Sequence, residues 1–151
     1  QKVALKEIKD SRYDIAEILK VVKTVKNYNY YSGISIKPST KNYIFVMDLF
    51  DDDLHNYLTK TFWDLEWETK TKILTSIAES LESLHAKNLV HCDLRSENIL
   101  LNYNEYFYNE LILNYNPKNN ETYGSIPYIP PEVLKGNDFI REGDIYSFGG
   151  I

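Results

Sequence analysis

At 151 residues, 43% hydrophobic and 26% charged, the chain has the size of one globular domain, and with 13 tyrosines it is too apolar and too aromatic for disorder. Its 17 Lys and Arg against 22 Asp and Glu leave a formal net charge of −5, which argues against a generic attraction to nucleic acid or to an anionic membrane face. The single cysteine, Cys92, permits no intrachain disulfide and no Cys/His zinc spacing, and the longest apolar run, Tyr43 to Met47, falls far short of the roughly 20 residues of a membrane helix. The expectation is a reducing, cytoplasmic compartment with no membrane span.

Lys2 to Lys9 (KVALKEIK) reads as a strand with apolar patches on both sides, Val3 and Leu5 on one and Ala4, Lys6 and Ile8 on the other, so that Lys6 points inward. Asp10 and Ser11 are N-cap candidates for an amphipathic helix with the stripe Ile15, Ile18, Leu19 and Val22, and Glu17 beside it. Tyr30 to Ile36 and Asn42 to Met47 are rich in aromatic and β-branched residues and flank Lys37-Pro38-Ser39-Thr40, the pattern of a hairpin. Asp51-Asp52-Asp53 marks a break before a short helix carrying Leu54, Tyr57 and Leu58; Ile73, Leu74, Ile77, Leu81 and Leu84 then give a longer helix its apolar stripe.

Asn88 to Leu101 alternates short apolar runs with charged residues, while Asn102 to Asn120, dominated by Tyr and Asn, has no helical period and fits two short strands with a long loop. Pro127, Pro130 and Pro131 exclude a continuing helix or a central strand there, and Asp144 to Ile151 resumes an apolar pattern. The chain begins at Gln1 and stops at Ile151, straight after IYSFGGI, without a polar tail or a helix stop signal, so both ends read as cut. Tyr146, Phe148 and Ile151 are then expected to lie uncovered, an aggregation hazard.

HCDLRSENIL, from His91 to Leu100, matches the kinase pattern H-R-D-L-x-x-x-N at every specified position except its arginine. VALK at Val3 to Lys6, the helix glutamate Glu17, PPE at Pro130 to Glu132 and DIYSFG at Asp144 to Gly149 accompany it in the family's order. On these motifs, which extend over nearly all of the chain, it resembles a protein kinase. GSIPYIPPEVL, Gly124 to Leu134, is similar to serine/threonine kinases of the tyrosine-kinase-like group. The resemblance implies an α+β, two-lobed protein kinase fold truncated at both ends: residues 1–50 as the remainder of the small lobe and hinge, 51–151 as the first part of the helical large lobe. It also implies ATP and Mg2+ as cofactors and a protein substrate or signalling partner.

Phosphoryl transfer needs positive charge held on the nucleotide phosphates, and the resemblance assigns this to Lys6, kept in place by Glu17. It gives Asp93 the proton of the attacking hydroxyl, Arg95 a place near the transferring phosphate, and Asn98 a magnesium ion. Val3 and Ala4 would cover the adenine, Met47 would stand at the back of its pocket, Asp48, Leu49 and Phe50 would form the linker beside it, and Leu100 would be a further nucleotide contact. Asp144 would brace the catalytic loop by accepting backbone N–H bonds near His91, and Glu132 would pair with an arginine further along the family's chain. Taken singly, Lys6 and Glu17 read as surface residues and Asp93 and Asn98 as turn and capping residues; the surrounding motifs reverse that.

Four departures from the pattern stand out. No GxGxxG loop occurs, and Cys92 replaces the arginine that in many kinases contacts a phosphorylated activation loop. Lys6 and Glu17 are only ten residues apart, a shorter connection than the family usually has. The metal-binding DFG motif is expected between Asn98 and PPE, where NYNEYFYNELILNYNPKNNETYG contains no aspartate. If FYNELIL occupies that position, Asn109 replaces the metal aspartate and Leu111 the glycine; an ungapped count from Asn98 puts Leu111 at the aspartate instead. Two functions follow as expectations: an ATP-dependent protein kinase acting on Ser/Thr, impaired by that loss, or a catalytically silent pseudokinase that serves as a binding module in signalling.

Overall fold

The computed structural model describes residues 2–8, 31–103, 108–111 and 125–151, with Tyr31 and 108–111 described through their backbone. The expected helix with Ile15 to Val22, and with it Glu17, lies outside the described residues. The chain divides into two compact units, the first ending at Leu49 and the second beginning at Phe50.

In the first unit β1 (Val3–Glu7), β2 (Tyr31–Ile36) and β3 (Tyr43–Asp48) form an antiparallel sheet in the order β1-β3-β2. The expected hairpin joins β2 to β3, closed by the Lys37 N–H donating to the Asn42 carbonyl at 2.9 Å, with Lys41 in the left-handed region at φ 62°. Directly opposed residues share a face in a pleated sheet, so the pairs Ala4–Met47 and Lys6–Phe45 project to one side and Val3–Asp48 and Leu5–Val46 to the other. Phe45, Met47 and Ile8 are buried, whereas Val3 is 42% and Leu5 65% exposed. The two-sided burial expected of the first strand is therefore corrected: one face carries the packing and the other is open, as an antiparallel sheet allows. At the end of β1 the Glu7 carboxylate accepts bonds from Lys37 Nζ, Thr40 Oγ1 and Asn42 Nδ2, fastening the strand to the hairpin turn.

The second unit contains β4 (Asp52–Asp53), β5 (Ile99–Asn102) and β6 (Tyr108–Leu111), antiparallel in that order, with α1 (Leu54–Thr61), α2 (Trp67–Ala86), α3 (Pro131–Leu134) and α4 (Arg141–Gly149). The aspartate run does more than break the chain: Asp52 and Asp53 pair with Leu101 and Leu100, and Asp53 caps α1 by accepting the Asn56 N–H at 2.8 Å. Leu54, Ile73, Ile77, Leu81, Leu94, Ile99 and Leu101 make the core, each buried side chain contributing about 1.5–3 kcal/mol. Leu74, one position and so about 100° round the helix from Ile73, falls outside the stripe and is 42% exposed. Phe148 and Ile151, expected to lie uncovered, pack against this core; Tyr146 is exposed.

The proline-rich stretch starts a helix, because Pro131 occupies the first position of α3, where no N–H is needed. α2 stops in a Schellman motif. Asn88 adopts φ 57°, its N–H donates to the His85 carbonyl, and the Leu89 N–H donates to the Leu84 carbonyl. Arg141 Nη2 then donates to Asn88 Oδ1 at 2.6 Å, tying α4 to the end of α2. Gly143 lets α4 run close past Phe139, since a Cβ there would lie 2.7 Å from the ring.

Candidate active site

Residues 91–98 cross from the end of α2 to the start of β5. The segment is anchored in the middle by Leu94, fully buried in the core, and ends in a 3-10 turn, Ser96–Asn98. Its backbone is held at the other end by one side chain. Asp144, fully buried in the first turn of α4, accepts the His91 N–H at 2.8 Å and the Cys92 N–H at 3.0 Å, and its Oδ2 also lies 2.8 Å from His85 Nε2. A carboxylate only accepts, which puts a proton on that histidine nitrogen.

Between these anchors Cys92 adopts φ 66°, a left-handed conformation uncommon for a residue with a Cβ. The turn brings the Asp93 N–H to His91 Nδ1 at 3.3 Å, so the neutral His91 ring carries its proton on Nε2. Burial, and then the charges of Asp144 and Asp93, push the Cys92 thiol up to about 12, so it stays protonated at neutral pH.

The Asp93 carboxylate is held from two sides. Asn98 Nδ2 donates to Asp93 Oδ2 at 2.8 Å and to the Asp93 carbonyl at 2.7 Å, and Arg95 Nε stands 3.5 Å from Asp93 Oδ1, with Nη1 3.9 Å from Glu97 Oε1. Chemically this is a fixed carboxylate with a cation beside it, able to orient or accept the proton of a hydroxyl.

Thus the second unit brings together His91, Asp93, Arg95, Asn98 and Asp144, and the first unit sets Ala4, Lys6 and Met47 on one face of its sheet. Val3 and Ala4, expected together over one ring, are separated: as neighbours in a strand they project to opposite faces, and Ala4 alone shares a face with Lys6 and Met47. Asp48 lies at the end of β3 with the Ser32 hydroxyl 3.5 Å from its Oδ1, Leu49 is exposed and Phe50 half-buried. Leu100 is half-buried in β5, Glu132 is exposed on α3, and Asn109 and Leu111 are paired with Leu101 and Ile99 inside β6. Leu111 closes β6, and Asn109 lies within its ladder.

Among the described residues no group of three or more His, Cys, Asp or Glu could hold a metal ion. Magnesium asks for a near-octahedral shell of oxygens, usually with one or two carboxylates, and Asn98 and Asp93 supply one amide oxygen and one carboxylate, their mutual bond being made through Asn98 Nδ2. By themselves these two groups do not complete a magnesium shell.

Sequence reasoning missed His85, which touches the bracing carboxylate; standing in the last turn of α2, it reads from sequence only as a partner for the helix dipole.

A family profile described as protein kinase domain matches residues 1–151. This chain belongs to the protein kinase family. Among similar proteins, a probable serine/threonine-protein kinase of Dictyostelium discoideum is 35% identical over 103 residues, 64% of this chain and 25% of that protein. The probable serine/threonine-protein kinase kinX of the same organism is 27% identical over 150 residues, 92% and 14% respectively, and serine/threonine-protein kinase dkf-2 of Caenorhabditis briggsae is 34% identical over 122 residues, 74% and 10%. The kinase domain described here thus spans a quarter or less of the length of these relatives. The antiparallel sheet of the first unit and the helical second unit are parts of the α+β protein kinase fold. No described helix is long and apolar enough to cross a membrane.

Proposed function

We propose that this kinase domain binds ATP and transfers its terminal phosphoryl group to a serine or threonine hydroxyl of a protein, at a rate held low by the missing metal carboxylate. The observation that carries this reading is the Asp93 carboxylate, fixed by Asn98 at 2.8 Å in a loop tied down by Asp144. In that role Asp93 accepts a hydrogen bond from the substrate hydroxyl and orients its oxygen for attack, while the Arg95 guanidinium places positive charge next to the reacting group. Both groups are set before substrate arrives, so little reorganisation is asked for at the moment of reaction. ATP would supply the phosphoryl group; the family resemblance assigns its phosphates to Lys6, supported by Glu17, with Ala4 and Met47 on the same face of the first unit's sheet. The relatives' designation as serine/threonine kinases supports the choice of hydroxyl, and the lone cysteine supports a cytoplasmic setting.

A second reading, a catalytically silent pseudokinase that works by binding partners in signalling, is favoured by one fact: the stretch from Asn102 to Gly124 contains no aspartate. An electrostatic partner worth about 3–4 kcal/mol to a transition state corresponds to roughly 10²–10³ in rate. The deciding experiment is transfer of labelled γ-phosphate from ATP to a generic protein substrate, beside an Asp93→Asn control. Transfer that vanishes in the control supports the kinase. Transfer no greater than the control, from protein shown to be folded, supports the pseudokinase.

A further inference from the structure

The turn between α1 and α2 takes no part in the phosphoryl-transfer reading, yet it holds both tryptophans of the chain. Trp63 is 92% and Trp67 78% exposed, with Phe62 beside them, half in water. Trp67 opens α2 off the stripe of Ile73, Ile77, Leu81 and Leu84 that faces the core, and the described residues leave it open. A tryptophan offers some 150–250 Å² of burial, and two of them four residues apart leave a patch of a few hundred Å², large enough to mark an interaction site.

The charge around the patch is one-sided. Residues 62–69 contain Asp64, Glu66 and Glu68 and no lysine or arginine. The nearby cations are already engaged: Lys60 with Asp52 at 3.1 Å, Lys72 with Glu68 at 2.7 Å, and Lys70, whose Nζ lies 4.0 Å from the centre of the Phe62 ring. That last contact shows the aromatic cluster taking a cation on a ring face. Phe62 meets Trp63 edge to face at 5.3 Å, and the Asp64 and Glu66 side chains are exposed alongside.

We propose that this turn docks a partner protein through a segment rich in arginine or lysine, whose cationic groups stack on Trp63 and Trp67 while Asp64 and Glu66 face their charge. Cations over indole faces are the strongest of their kind, and arginine adds planar stacking. The net charge of −5 favours the approach of such a segment. The surface is independent of Asp93 and of whether the domain transfers phosphate.

Because Trp63 and Trp67 are the only tryptophans, intrinsic emission reports on this turn alone. Titrating the full chain with an eight-residue peptide of alternating arginine and glycine should give a saturable change in emission, and the glutamate-for-arginine peptide none. Trp63→Ala, with Trp67 left as reporter, should weaken binding about tenfold. Asp64→Asn with Glu66→Gln, which keeps both indoles, should weaken it several-fold and flatten its salt dependence. An equal response to the glutamate peptide, no saturable response, or unchanged affinity in both variants would overturn the proposal. So would emission that depends on protein concentration without peptide, which would assign the surface to a second copy of the chain.

Discussion

Asp144 accepts the backbone N–H of Cys92, a residue 52 positions earlier in the chain that is held at φ 66°. The same carboxylate takes the N–H of His91, so two consecutive amides converge on it and the chain must bend between them. A left-handed conformation costs an ordinary residue about 1–2 kcal/mol, and charge-assisted bonds to a buried carboxylate return about 1.5–3 kcal/mol each. The bonds win, and Asp93 emerges from the bend already facing Asn98.

Asp144→Asn keeps the shape but exchanges one acceptor for a donor that meets N–H groups. Unfolding in urea should show a loss of about 2–4 kcal/mol. Any phosphoryl transfer should fall with it, since the loop carrying Asp93 loses its tie.

At Cys92 itself the backbone decides the order of variants. Glycine accepts φ 66° without strain, and its gain is offset in part by unfolded-state entropy, so Cys92→Gly should lie within about 1 kcal/mol of the parent. Cys92→Val, β-branched in the same conformation, should be destabilised by about 2 kcal/mol or more. Urea midpoints of the two proteins check the ranking; a valine variant as stable as the glycine one would contradict the strain.

Glu7 makes β1 sensitive to acid. Its bonds to Lys37 first, then to Asn42 and Thr40, hold the carboxyl down from its ordinary 4.5 to about 2. A carboxylate depressed in the folded state contributes fully above about pH 4.5, and its contribution is lost as pH falls through 2. The urea midpoint should therefore drop between pH 4.5 and 2 more steeply in the parent than in Glu7→Gln, which has no proton to take up.

Supplying Asn109→Asp together with Leu111→Gly tests the register in which Asn109 would stand for a metal aspartate. Asn109 is paired with Leu101 within the β6 ladder, so γ-phosphate transfer should not rise. A clear rise would restore the register in which Asn109 stands for the aspartate.

Elements governed by a single period were legible. The alternation in VALKE gave β1, the turn residues around Pro38 gave the β2–β3 hairpin, and the spacing of Ile73, Ile77, Leu81 and Leu84 gave α2. The exposure of Leu74 is not legible in sequence, because an apolar residue next to a stripe looks like part of it until the helix is docked. Val3 and Ala4 are neighbours in a motif, which has no faces, whereas the strand sets them on opposite ones. Asp93, Asn98 and Asp144 were visible only through family resemblance, since a carboxylate, an amide and a second carboxylate far along the chain have no common pattern. The Glu7 cluster and the His85 contact were not legible at all: each depends on side chains brought together from 30 or more positions away, for which composition and periodicity carry no signal.

The bend at Cys92 also makes the protein its own stopwatch. A partly buried thiol held up to about 12 beside two carboxylates is a poor nucleophile, so alkylating reagents should react with it slowly while the loop is closed. Each opening that lets the His91 and Cys92 amides leave Asp144 would expose it. As no other cysteine competes, the rate of its capture would count how often the loop around Asp93 comes undone.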